Sequence, residues 1–122
     1  MLHDNEIISY EVSLTDKIIK MTTKTESGEQ VVVIFSEVFA YFFEDQLFGS
    51  VILDLFEAPL DDFIEGNIDI LNKGKENSWP MSYKKIDELS DKLKSENFSY
   101  FILSPSYGLG GWVIAKNLSI QK

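Results

Sequence analysis

The chain is 122 residues long, 44% apolar and 13% aromatic, which is enough for one compact domain with its own core, expected here to span residues 1–122. It has no cysteine, which excludes disulfides, thiol nucleophiles and thiolate metal sites, and no run near the ~20 apolar residues of a membrane-crossing helix. Its net charge is −9 and every basic residue is a lysine; without the bidentate arginine fork, and with a repulsive long-range field, nucleic acid is not an expected partner.

Residues 6–14 alternate, with Ile8, Tyr10, Val12 and Leu14 on one face and Ser9, Glu11 and Ser13 on the other, the period-2 pattern of a half-buried strand. The Ile- and Thr-rich segment 17–25 follows, ending at Glu26-Ser27-Gly28-Glu29, so an antiparallel hairpin is expected. From Val31 to Phe43 the chain is almost wholly apolar, β-branched or aromatic. This predicts a central strand, bent or bulged near Ser36-Glu37, or alternatively a strand and a short helix divided at Glu37. Val51–Glu57 alternates again after the loop around Gly49, and the four strands are expected to form an antiparallel meander.

At Pro59 the period changes. Leu60, Phe63, Ile64, Ile68 and Leu71 fall at helical spacing, with Pro59 at the first turn, Asp61 and Asp62 at the positive dipole end, and Lys73-Gly74-Lys75 at the stop. The Asn77-Ser78-Trp79-Pro80 junction reads as a connection anchored by Trp79. A second helix is expected over Tyr83–Glu96, with Ser82 as N-cap, Met81 stapled to Ile86, and Asn97 as a left-handed C-cap. Two strands, Phe98–Ser104 and Gly111–Ile120, close the chain around a turn-rich loop from Pro105 to Gly110. The order ββββααββ defines an α+β domain with a mostly antiparallel sheet of about six strands and two packed helices.

The charge is unevenly spread. Between Lys24 and Lys73 there is no basic residue but eleven acidic ones, whereas residues 71–122 carry 8 lysines and 5 acids. An acidic surface ordinarily serves solubility; a single-sign field this long also fits a basic macromolecular partner. Catalytic signatures are absent. His3 is the only histidine, and Ser36, Ser104 and Ser106 lack a nucleophile-elbow context, so His3-Asp4 is expected to fix the start of the first strand through hydrogen bonds. The pairs Glu44-Asp45 and Asp61-Asp62 lack an EF-hand pattern, so no metal or cofactor is expected. The run Tyr107-Gly108-Leu109-Gly110-Gly111-Trp112 opens a strand rather than a helix and lacks a following Lys-Ser/Thr, which makes it a turn rather than a phosphate cradle. The lysines of the second helix alternate with acids, so no membrane-binding stripe is expected. The polar start Leu2-His3-Asp4-Asn5-Glu6 is unlike a signal peptide, and a cytoplasmic location is expected.

Leu2-His3-Asp4 directly before a strand, followed by Val33-Ile34-Phe35-Ser36-Glu37-Val38 and Val51-Ile52-Leu53-Asp54-Leu55, resembles a pattern in small bacterial proteins, among them immunity proteins of polymorphic toxin systems. The resemblance covers the first half of the chain. It implies a non-enzymatic inhibitor that binds a toxin domain, and it transfers no catalytic residue. The leading expectation is therefore an acidic binding protein for a basic toxin or nuclease domain, with Glu37, Glu44, Asp45, Asp61, Asp62 and Glu65 as charged contacts and Tyr107 and Trp112 as aromatic ones, core packing of Trp112 being the equal alternative. One rival is a homo-oligomeric regulatory or housekeeping domain that uses a strand edge or the cluster Phe39, Tyr41, Phe42 and Phe43; another is a carboxylate-based binder of a metal or small molecule.

Overall fold

The strand hairpin expected at the amino end sets the first wall of the structure, a computed structural model that describes residues 2–122. Strand β1 (Glu6–Ser13) pairs antiparallel with β2 (Ile18–Lys24), and β2 in turn with β3 (Gln30–Glu44). In β2 the buried Ile19, Met21 and Thr23 alternate with exposed Lys20 and Lys24, so one face turns to a core and the other to solvent.

Strand β3 is one continuous element of 15 residues. Val31, Val33 and Phe35 point into the core, then Glu37 takes a φ of 51° and the pairing register shifts by one residue between Val38 and Ala40. This bulge is the bend expected near Ser36-Glu37. Beyond it Tyr41 and Phe43 join the first core, while Phe39, Ala40 and Phe42 join a second core on the opposite face.

The expected four-strand meander is not formed. After β3 the chain crosses the end of the sheet, and β4 (Val51–Ala58) pairs with β5 (Ser99–Tyr107), touching β1 only at the rung Glu6↔Val51. The neighbour that β3 takes instead is β6 (Gly110–Gln121), whose Trp112, Val113, Ile114 and Ala115 are buried consecutively. A strand buried on both faces needs a layer on each, and β6 has the barrel core beneath Val113 and Ala115 and the helices over Trp112 and Ile114. The six strands close into a barrel in the order β1-β2-β3-β6-β5-β4. Closure at the thin β1/β4 seam rests on Asp4 N–H to Ile52 O, Ile52 N–H to Asn5 O and Ile7 N–H to Ser50 O, each at 2.9 Å. His3 Nδ1 lies 2.9 Å from Leu53 O, which gives His3 its place at the start of β1.

Three helices, not two, separate β4 from β5, so the order is ββββαααββ. The helix expected from Pro59 to Lys73 divides into α1 (Leu60–Gly66) and α2 (Ile68–Lys75) at Asn67, where φ is −126°. The Asn67 side-chain amide donates to Phe63 O at 2.9 Å, taking a helical carbonyl and breaking the run. Helix α3 (Ile86–Ser95) begins three residues later than expected. Tyr83 is instead drawn into the second core, its hydroxyl 3.4 Å from Leu71 O, and the Glu88 carboxylate, not Ser82, accepts a bond at the helix start, from Lys84 N–H at 2.8 Å. The C-terminal expectation holds: Asn97 has φ 62°, and Phe98 N–H reaches back to Leu93 O at 3.0 Å.

The barrel interior is filled by residues such as Ile19, Met21, Phe35, Ile52 and Phe101. The second core lies between the helices and the outer face of β3, β6 and β5, where Phe63, Leu71, Leu89 and Leu93 cover Tyr100, Trp112 and Ile114. Trp112 is its centre, with ring centroids of Phe63, Trp79, Phe42 and Tyr100 at 4.8, 6.0, 6.3 and 6.4 Å. The final loop is also shorter than expected, since β5 continues through Pro105 to Tyr107 and only Gly108-Leu109 turns.

Gly111 sits where β6 leaves that turn, with φ 150°, and a Cβ there would lie 1.9 Å from Phe42 O. Gly111→Ala is expected to destabilise the protein by more than about 2 kcal/mol. A urea-unfolding midpoint equal to that of the parent would contradict the β3/β6 register.

Candidate binding surface

The fold gathers some of the sequence-nominated residues at one end of the barrel and disperses the rest. Glu44 is the last residue of β3 and pairs with Gly110, while Tyr107 is the last residue of β5 and pairs with Val51. The loop from Asp45 to Ser50 spans the gap between them. It is pinned by Ser50, whose hydroxyl donates to Leu47 O at 2.5 Å and accepts from Leu109 N–H at 2.9 Å. Tyr10 holds the same loop from β1 by donating to the Gln46 side-chain carbonyl.

This loop carries residues that the sequence reading passed over. Phe48 is fully exposed, and Leu47, Ile8 and Tyr107 are each more than half exposed. Between β1 and the loop runs a groove of about 510 Å³, bordered by Ile8, Tyr10, Leu47, Phe48 and, at its acidic rim, Glu6. Exposed apolar side chains standing together with a charged border are the usual composition of a contact surface, whereas singly scattered ones carry no meaning. The signal in the sequence was the triplet Gln46-Leu47-Phe48, a polar residue and two large apolar ones inside a loop, where no core exists to bury them.

Asp61, Asp62 and Glu65 lie on α1, beyond the far end of β4, roughly 25 Å of strand from Val51. They are exposed, and Asp61 is paired with Lys94 at 2.8 Å. Glu37 stands apart at the β3 bulge, accepting from the Asn117 side-chain amide at 3.0 Å. Trp112 is withdrawn from the contact set: it is 4% exposed, because its outward face on β6 is the face the helices cover. Its indole Nε1 is buried without a hydrogen-bond partner among the described residues.

All twenty carboxylate side chains are on exposed residues, and among the described residues only Asp61 and Glu96 pair with a lysine. The pairing with Lys92 lowers the Glu96 pKa and the hydrogen bond with Asp61 raises that of Lys94, both as exposed surface pairs. No three histidine or carboxylate residues among those described converge on a common point. No helix among them is long and apolar enough to cross a membrane. No family model, curated protein or solved structure matches the chain.

Burial raises the pKa of the Tyr10 phenol, with Tyr41 adding to the effect, and burial alone raises that of Tyr83. A raised folded-state pKa contributes stability that is complete below the ordinary phenol pKa of 10.0 and is lost as pH rises through the folded value. Tyr10→Phe is therefore expected to give a shallower loss of stability above pH ~10 than the parent, measured by denaturation across that range. A parallel decline in both proteins would contradict a raised Tyr10 pKa.

Proposed function

We propose that this protein is an acidic binding protein, and that its contact surface is the barrel end built around Phe48, with Leu47, Ile8 and Tyr107 as apolar anchors and Glu6, Glu44 and Asp45 as the acidic border. The observation that carries this reading is the fully exposed Phe48 on a loop fixed by Ser50 and Tyr10. An aromatic ring held out to solvent on a hydrogen-bonded loop adds to neither core, and it has the character of an interface anchor. The unpaired carboxylates supply attraction at a distance, which raises association rates with a basic partner more than it raises final affinity.

The sequence resemblance in the first half of the chain makes a toxin or nuclease domain the preferred partner, so the proposal extends to neutralisation by binding. Carboxylates then occupy positions that nucleic acid phosphates take on the target. A cytoplasmic setting, to which a cysteine-free chain is suited, is part of the proposal.

Affinity capture from source-cell lysate at low and moderate salt tests this. The expected result is retention of a protein with a basic domain, released as salt is raised. Phe48→Ser is expected to leave the unfolding midpoint unchanged while weakening retention by about 2 kcal/mol. Glu44→Gln with Asp45→Asn is expected to slow association about tenfold at low salt and not at high salt. Capture that is indifferent to salt and to both variants contradicts the proposal.

A further inference from the structure

The geometry points to the overhanging half of β3 as a strand-addition site, which takes an extended segment of the basic partner antiparallel to β3 with its basic residues at its amino-terminal end. This rests on the acidic-binding reading above and names what that partner must present.

Strand β3 is longer than its neighbour. Its last rung with β2 is Ile19↔Phe35, followed by one bond from Val38 N–H to Lys17 O at 2.9 Å. From Phe39 to Glu44 its one strand partner among the described residues is β6. The other edge faces a groove of about 570 Å³ between the β1–β2 tip and Trp79. Tyr41 and Phe43, which point into the barrel, and Phe39 and Phe42, which point to the helical layer, all line it. Side chains from opposite faces of a strand meet one groove only along the strand's edge. A bare edge with apolar side chains above and below it is the template that strand-adding peptides use: main-chain bonds provide affinity and alternate side chains enter the flanking pockets.

An added strand antiparallel to β3 continues the line of β2, whose first residue Ile18 lies where the free edge begins. Its carboxyl end then lies near Lys17 and its amino end beside Glu44 and Asp45. The two ends differ in charge. Around the Lys17 end, Asp16, Glu37 and Glu96 are matched by Lys17, Lys92 and Lys116, whereas Glu44 and Asp45 are exposed with no lysine paired to them. Lysine or arginine is therefore favoured at the amino end of the incoming segment and is indifferent at its carboxyl end. A second copy of this chain is the poorer occupant, because each copy carries a net charge of −9.

The test uses two end-blocked peptides of about six alternating valine and threonine residues, with a lysine pair at the amino end in one and at the carboxyl end in the other. They are titrated at low salt while backbone amide signals are followed by NMR. The amino-end peptide is expected to bind at least about 5-fold more tightly. Signals of Phe39–Glu44 should move, Glu44→Gln with Asp45→Asn should erase the preference, and N-methylation of alternate peptide amides should abolish binding. Absence of binding, equal affinities, or changes confined to Phe48 or α1 overturns the inference, as does a concentration-dependent shift of Phe39–Glu44 without peptide, which assigns the edge to a second copy. A glycine-rich peptide with the same lysine pair separates the two proposals. If it binds as tightly as the amino-end strand peptide, salt-dependently and without moving Phe39–Phe43, the acidic reading stands and strand addition falls; if no lysine-bearing peptide binds, both fall.

Discussion

Strand β3 outruns β2, and the rest of the molecule is arranged around that mismatch. Its first half is an ordinary barrel strand with partners on both sides and one face in the barrel core. Its second half, past the bulge between Val38 and Ala40, keeps β6 alone and has apolar side chains on both faces. The outward face has to be covered, and the three helices between β4 and β5 cover it, with Phe63, Leu71, Leu89 and Leu93 closing over Trp112. Burial of aromatic rings of this size is the dominant favourable term available to a chain without disulfides. The edge of the same segment stays open because the β1–β2 hairpin turns back before reaching it.

Much of this was legible in the sequence because it depends on local pattern. The alternation in 6–14, the Ile- and Thr-rich segment 17–25 and the almost wholly apolar run from Val31 to Phe43 placed the first three strands, and Ser36-Glu37 marked the bend. The left-handed Asn97 followed from the usual chemistry of helix ends. What escaped depends on contacts distant in sequence. Four successive strands suggested a meander, but the pairing of β3 was decided by the doubly apolar Trp112-Val113-Ile114-Ala115, some seventy residues on. Periodicity continued through Asn67 and missed that its amide competes for the Phe63 carbonyl. Tyr83 fitted a helical stripe equally well, and the second core claimed it before the helix began.

The candidate surface was half legible for the same reason. Charge is additive and needs no fold to be counted, so the acidic field was visible at once. Which acids stand together is a matter of topology: Glu44, Asp45 and Tyr107 meet at one barrel end, Asp61, Asp62 and Glu65 lie beyond the other end of β4, and Glu37 stays with Asn117. Phe48 was passed over because a loop residue has no period, its only signal being the apolar pair Leu47-Phe48, and Trp112 stayed open between core and surface because a tryptophan beside a glycine turn reads the same whether a helix covers it or not. The proposed function draws its partner's charge from the sequence and its point of contact from the fold.

Residue-resolved amide hydrogen exchange of the free monomer tests the central feature most directly. Amides from Val32 to Phe35, paired on both sides, are expected to exchange slowly, whereas alternate amides between Phe39 and Glu44 should exchange at least about 100-fold faster than the slow ones. Uniform slow exchange from Val31 to Glu44 would mean that the edge is already covered, and would contradict the open strand on which this account is built.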